Sequence, residues 1–177
     1  FINSEAPVKA IEKDWLNNYQ NDSPFKLLYV GRFEPEKGVL DLVNAMEGLR
    51  SRYSNISLSL IGSGSLSTFL HQLDSEFVRV VDPQYGPRLF EFISSHDLLI
   101  LPSYHEAFPM VYLEASYCGT ASLITSNSAI PRQFDDNVNV FIFEQRGPDA
   151  LVRKLVKILS CPKIIKAVGL AAHNNVA

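Results

Sequence analysis

The sequence predicts one doubly wound α/β domain, Rossmann-like, with a mostly parallel six-stranded sheet and helices on both faces. Two observations predict it. Short apolar runs and segments of helical period alternate about six times from residue 25 onward, an order that makes a parallel sheet with right-handed crossovers. The runs themselves, "DLLILPS" above all, are close to continuously apolar, as strands covered on both faces are.

The elements follow in order. Residues 1–24 are polar and mixed, an N-terminal segment that reads as the remnant of an interdomain linker. The patch "VKAIEKDWLNNY" within it predicts a short helix, with Trp15 packing it onto the domain. "FKLLYVG" (25–31) is a short apolar run ended by glycine, and opens a single domain over 25–177. "GVLDLVNAMEGLRSRY" (38–53) places Leu42, Val43, Met46 and Leu49 at helical spacing. "ISLSLIG" (56–62) predicts a strand, "LSTFLHQL" (66–73) a helix, "FVRVVD" (77–82) a strand and "RLFEFISSH" (88–96) a helix. The strand "DLLILPS" (97–103) follows, then a helix from about Pro109 to Cys118. "TASLIT" (120–125) and "NVFIF" (139–143) supply two further strands, and "PDALVRKLVKIL" (148–159) and "PKIIKAVGLAA" (162–172) the closing helices.

Composition narrows the function. The 177 residues suffice for one domain with a sizeable core, and 46% hydrophobic with 20% charged residues is the balance of a globular protein. A net charge of −3 with dispersed Lys and Arg argues against nucleic acid and shows no basic run suited to an anionic membrane. No apolar run approaches the roughly 18 residues of a membrane span, and no signal-peptide pattern opens the chain. The start at Phe1 reads as that of an excised piece. Cys118 and Cys161 form neither a disulfide framework nor a metal-ligand spacing, and Cys118 sits in an apolar segment as a core residue would. A reducing cytoplasm fits this usage.

Open parallel sheets bind ligands beyond the carboxyl ends of their strands. Three loops there carry unusual residues. "GRFEPEKG" (31–38) sets Arg32 and Lys37 in a strand-to-helix turn, where two cations can grip a diphosphate. A solvated loop in which Arg32 pairs with Glu34 or Glu36 is an equal reading of that loop alone. "IGSGS" (61–65) lets a ligand approach the backbone closely, although it lacks the third glycine of a dinucleotide fingerprint and alone reads as a tight turn. "HEAFPMVYLEA" (105–115) puts Glu106 just ahead of a helix and Glu114 inside it, beside first-turn amides near Met110 and Val111 that face an anion. Carboxylates suit sugars and riboses because they accept hydrogen bonds from vicinal hydroxyls. The plainer readings are a helix cap for Glu106 and a solvated helix face for Glu114.

Together the loops resemble the C-terminal, donor-binding domain of the group 1 retaining glycosyltransferases, the glycogen-synthase-like enzymes of GT-B fold. "GRFEPEKG" resembles the family's G-R-x-x-x-x-K-G loop, and "HEAFPMVYLEA" its E-x7-E segment with Ser103 ahead of it. "LIGSG" resembles the glycine turn between them. The likeness covers about residues 25–160. It implies that Arg32 and Lys37, following Gly31, hold the diphosphate of a nucleotide sugar and stabilise it as it leaves. Glu106 would bind hydroxyls of the transferred hexose and support positive charge at its anomeric carbon, which makes Arg32, Lys37 and Glu106 the implied catalytic groups. Glu114 would take the ribose hydroxyls. Gly62, the backbone near Phe108, Met110 and Val111, and the loop from Val81 would complete the donor site. The family needs no metal or other cofactor. Its acceptor, a saccharide or lipid-linked sugar, is bound by an N-terminal domain that this sequence lacks. The resemblance therefore implies a cytoplasmic enzyme of polysaccharide or glycolipid synthesis, with peripheral attachment to a membrane left open, whose fragment here transfers nothing alone. Departures are Ala107, where the family usually has Gly; Ser126, Asn127 and Asn139, where glycines are common; and a short link in "FVRVVDPQYG". Rival readings are a sugar-nucleotide epimerase, for which His105 is the one candidate among His71, His96, His105 and His173, and a non-catalytic nucleotide-binding module.

Overall fold

The structure is a computed structural model, and it describes residues 24–106, 109–126, 135–144 and 147–176. The linker segment, its predicted helix and Trp15 lie outside the described residues, as do Ala107, Phe108 and Asn127. Six strands form one sheet: β1 (Phe25–Val30), β2 (Ile56–Ile61), β3 (Val78–Val81), β4 (Leu98–Leu101), β5 (Ala121–Thr125) and β6 (Phe141–Phe143). Their order is β3-β2-β1-β4-β5-β6 and every pairing is parallel. The direction of winding reverses between β1 and β4, which opens a crevice beyond their carboxyl ends.

The helices are α1 (Val39–Arg50), α2 (Ser67–His71), α3 (Gly86–Ser94), α4 (Met110–Tyr117), α5 (Pro148–Leu159) and α6 (Pro162–Val176). Side chains alternate across the strands, so each strand feeds two cores. Leu27, Tyr29, Leu58, Leu60, Leu98 and Ile100 join Leu42, Met46, Leu151 and Leu155 beneath α1 and α5. Leu28, Ile61, Leu99, Leu101 and Ile124 face Leu89, Ile93, Tyr112 and Ala115 of α3 and α4. Cys118 is buried in this second core.

The elements agree with the sequence pattern in kind, and the differences sit at their ends. A 3-10 turn at Pro35–Lys37 precedes α1, because Pro35 presets its first turn. Pro87 does the same for α3, which starts at Gly86, two residues before the apolar pattern begins. Pro109 is the extended residue ahead of α4, which begins at Met110. Helix α6 continues to Val176 through a polar stretch, held where His173 Nδ1 donates to the Tyr117 carbonyl at 2.8 Å.

Candidate functional site

Three loops meet over the carboxyl ends of β1, β2 and β4, and two glycines let them meet. Gly38 adopts φ +68°, and a Cβ there would lie 2.1 Å from the Pro102 carbonyl oxygen. Gly62, at φ +154°, would set a Cβ 1.9 Å from the carbonyl oxygen of Gly31. The close approach these glycines permit is thus first of one loop to another. Further bonds fasten the loops. Glu34 accepts the Ser65 amide at 3.0 Å and the Ser65 hydroxyl, and those bonds hold its carboxyl below the usual range. The Tyr104 amide donates to the Glu36 carbonyl at 2.9 Å, and the Thr125 hydroxyl to the Ser103 carbonyl at 2.8 Å.

The result is an open cavity of about 470 Å³. Gly31, Arg32 and Lys37 line it from the loop after β1, and Glu106, Met110, Val111 and Glu114 from the loop after β4 and from α4. Gly62 and Ser63, after β2, and Pro83, Gln84 and Tyr85, after β3, complete the lining. Four charged side chains from two distant loops converge here, as the motifs imply. Val81, by contrast, is not on the wall. Its carbonyl accepts the Gly62 amide at 3.1 Å and its side chain packs against the second core, so the three residues that follow β3 reach the cavity instead. His105, the candidate of the epimerase reading, is exposed and is not among the residues lining the cavity.

The two cations differ. Lys37 Nζ lies 2.8 Å from Glu106 Oε2, with only 17% and 20% of the two side chains exposed. Ser103 Oγ lies 3.4 Å from the same oxygen. Arg32 is 66% exposed and meets Glu36 at 3.4 Å, the surface pairing that the plainer reading of the loop expects. Its backbone is fixed all the same, because the Tyr29 hydroxyl donates to the Arg32 carbonyl at 2.7 Å. Burial, with the Glu106 charge adding to it, pushes the Tyr29 phenol well above its ordinary pKa and keeps it a donor. Glu114 is half-buried, and desolvation raises its carboxyl above the usual range. It lines the cavity instead of standing on the solvated face that the plainer reading expects, and no side-chain hydrogen bond to it occurs among the described residues. Beside it, the start of α4 leaves the amides of Met110 and Val111 without intrahelical acceptors. Elsewhere, Asn139 is a buried loop anchor whose Oδ1 accepts the Asp135 amide at 2.8 Å, and Ser126 donates its amide to Phe143 at 3.0 Å.

The Pro83–Gln84–Tyr85 turn belongs to the loop after Val81, and Ser63 to the "IGSGS" turn, both of which the motifs place at the donor site. Tyr29 is the lining residue that sequence reasoning misses, because it reads as core from its run.

Two cations, a paired and an unpaired carboxylate, and a helix start thus surround one cavity. The family model of the group 1 glycosyl transferases matches residues 12–174. The chain belongs to the group 1 glycosyltransferases. It is 37% identical over 112 residues to a Mycobacterium tuberculosis glycogen synthase, covering 59% of this chain and 26% of that enzyme. To the D-inositol 3-phosphate glycosyltransferase of Arthrobacter sp. it is 33% identical over 135 residues, covering 71% of this chain and 32% of that one. The chain thus spans about a quarter to a third of these group 1 relatives. Among solved structures, the C-terminal domain of a Francisella tularensis group 1 family protein superposes with a TM-score of 0.73 at 17% identity, over 97% of this chain and 93% of that one. An Anabaena protein, HepE, in complex with UDP-glucose gives a TM-score of 0.74 at 17% identity, over 88% of this chain and 44% of that one. The structural likenesses show the fold of the C-terminal domain of group 1 family proteins.

Proposed function

We propose that this chain is the donor-binding domain of a retaining glycosyltransferase and holds a nucleoside diphosphate sugar in the cavity above β1 and β4. The observation that carries this reading is the 2.8 Å pair of Lys37 and Glu106, bridging two loops, with Arg32 and Glu114 on the walls of the same cavity. Lys37 and Arg32 take the diphosphate. As the bond to the anomeric carbon breaks, negative charge grows on the leaving diphosphate, and fixed cations stabilise that change more than the ground state. With two cations and the amides of Met110 and Val111 facing it, the diphosphate is neutralised without a metal. Glu106, already oriented by Lys37 and Ser103, accepts hydroxyls of the hexose and opposes the positive charge at its anomeric carbon. Glu114 enters the complex with unused acceptors, which ribose hydroxyls fill. The turn at Pro83–Tyr85 lies where the base extends.

The relatives include a glycogen synthase and a D-inositol 3-phosphate glycosyltransferase, and the neighbour HepE is in complex with UDP-glucose, which supports a hexosyl nucleotide as donor. The acceptor, a saccharide or lipid-linked sugar, is brought by a second domain, so this chain alone binds donor and transfers nothing. The complete enzyme works in the cytoplasm, in polysaccharide or glycolipid synthesis. Among the described residues, no helix is long and apolar enough to cross a membrane.

Calorimetric titration of the chain with UDP, GDP and ADP tests the reading. Binding of one of them that is lost in Arg32→Ala and Lys37→Ala supports it. A folded chain that binds none of the three refutes it.

A further inference from the structure

We infer that Tyr104 and Asp41, neither of which lines the cavity, form a positioning pair that sets Glu106 against Lys37. The Tyr104 hydroxyl donates to Asp41 Oδ2 at 2.8 Å, across 63 residues of sequence. Asp41 stands in the first turn of α1, three residues after Gly38 and four after Lys37. Tyr104 stands two residues before Glu106, and its amide bonds the Glu36 carbonyl at 2.9 Å. Tyr104 therefore grips the Lys37 loop twice, once through its backbone and once through its side chain, while Gly38 lies against Pro102 just behind it.

The geometry assigns different duties to the two grips. The backbone bond and the Gly38 contact fix how far apart the loops are. The side-chain bond lies further out, at the helix, and fixes the rotation of residues 103–106 about that contact. Glu106 is the group that such a rotation moves most, because it follows Tyr104 while Lys37 precedes the helix that Asp41 belongs to. Tyr104 and Asp41 touch no ligand in this arrangement and act only through the Lys37–Glu106 pair. Loss of the hydroxyl bond, worth about one neutral-to-charged hydrogen bond, leaves the loop fastened by its backbone but free to turn.

One consequence is independent of any ligand. Lys37 Nζ is held against Glu106 and is 17% exposed, so its amine is protected from acylating reagents. In the full chain, trace acetylation read by mass spectrometry is expected to modify Lys37 about fivefold faster in Tyr104→Phe and in Asp41→Ala than in the parent, with Lys157 as the internal reference. Asp41→Asn keeps an acceptor and is expected to restore the parent rate. In the double variant Tyr104→Phe/Asp41→Ala the rate is expected to equal that of either single variant, since one bond is lost once. A Lys37 rate unchanged in folded Tyr104→Phe overturns the inference, and so does an Asp41→Asn chain that labels as fast as Asp41→Ala.

The second arm rests on the function proposed above and separates the two claims. With UDP-glucose, GDP-mannose and ADP-glucose as probes, each compared with its nucleoside diphosphate, Tyr104→Phe is expected to shrink the gain in affinity from the sugar about fivefold. Affinity for the nucleoside diphosphate itself stays within twofold of the parent. Equal weakening of both ligands overturns the assignment to Glu106. A parent that binds none of the six compounds refutes the proposed function, and the labelling experiment still decides the positioning pair.

Discussion

At the amino ends of β1 and β4, Asp97 accepts the Lys26 amide and the Lys166 ammonium, each at 2.9 Å. Next to it, His96 Nδ1 donates to the Phe92 carbonyl at 2.6 Å and Nε2 accepts from the Ser59 hydroxyl at 2.9 Å. At the carboxyl ends of the same two strands, charged side chains are incompletely matched. Lys37 and Glu106 share one bond, Arg32 has only a surface contact, and Glu114 has none among the described residues. The same types of residue close one end of the sheet and keep the other available. A side chain whose hydrogen-bond capacity is spent inside the fold holds the fold together. One that is desolvated yet unspent costs stability and is kept for something that arrives later.

The largest effects should separate the two ends. Arg32→Ala/Lys37→Ala is expected to lower affinity for the nucleoside diphosphate that the parent binds by at least about 100-fold, since each charge-assisted bond is worth about 1.5–3 kcal/mol. Calorimetry measures it. Asp97→Ala should do the reverse. It removes the acceptor that the Lys166 ammonium and the Lys26 amide share, and is expected to cost about 2 kcal/mol of stability in urea unfolding while leaving nucleotide affinity unchanged. Weakened binding in Asp97→Ala would erase the distinction between the ends.

A smaller effect sharpens the comparison through pH. Burial, offset in part by the Phe92 carbonyl, holds His96 below its ordinary pKa of 6.5. As pH falls through 6.5, the unfolded chain takes up this proton before the folded one does, so folding stability falls with it. Urea midpoints at pH 7.5 and pH 5.5 should show that loss in the parent, and a flatter dependence in His96→Gln.

The smallest effect is at Glu114, where the sign reverses. Its carboxyl is raised by desolvation, so the folded chain binds the proton more tightly than the unfolded chain. Stability is therefore lost as pH rises through the ordinary carboxylate range, and at neutral pH the charge is a burden. Glu114→Gln is expected to raise Tm slightly and to weaken nucleotide binding. A fall in both would mean that the carboxylate is part of the packing.

Much of this organisation is legible in the sequence, for a local reason. Apolar runs such as "DLLILP" and the spacing of Leu42, Met46 and Leu49 each record their own burial, so strands, helices and winding follow from short windows. The charged residues of "GRFEPEKG" and "HEAFPMVYLEA" are legible as chemistry for the same reason. What the sequence leaves open is distance across the fold. Nothing near Tyr104 marks Asp41 as its partner, because their contact depends on how two loops pack over Gly38. Tyr29 looks like any core tyrosine until its hydroxyl is found on the Arg32 carbonyl. The loop from Val81 reaches the cavity while Val81 itself does not line it, because the exit direction of a strand's last residue is set by its neighbours. Here the Gly62 amide captures its carbonyl, and the turn beyond carries the lining.

The central claim is that the carboxyl edge of β1 and β4 is the binding end. Amide chemical-shift mapping during titration with UDP, GDP and ADP tests it most directly. The account predicts that at least one of them shifts the amides of Gly31, Gly62, Met110 and Val111 while those of Lys26 and Asp97 stay fixed. Shifts concentrated at Lys26 and Asp97, or a folded chain with no shifts for any of the three, would contradict it.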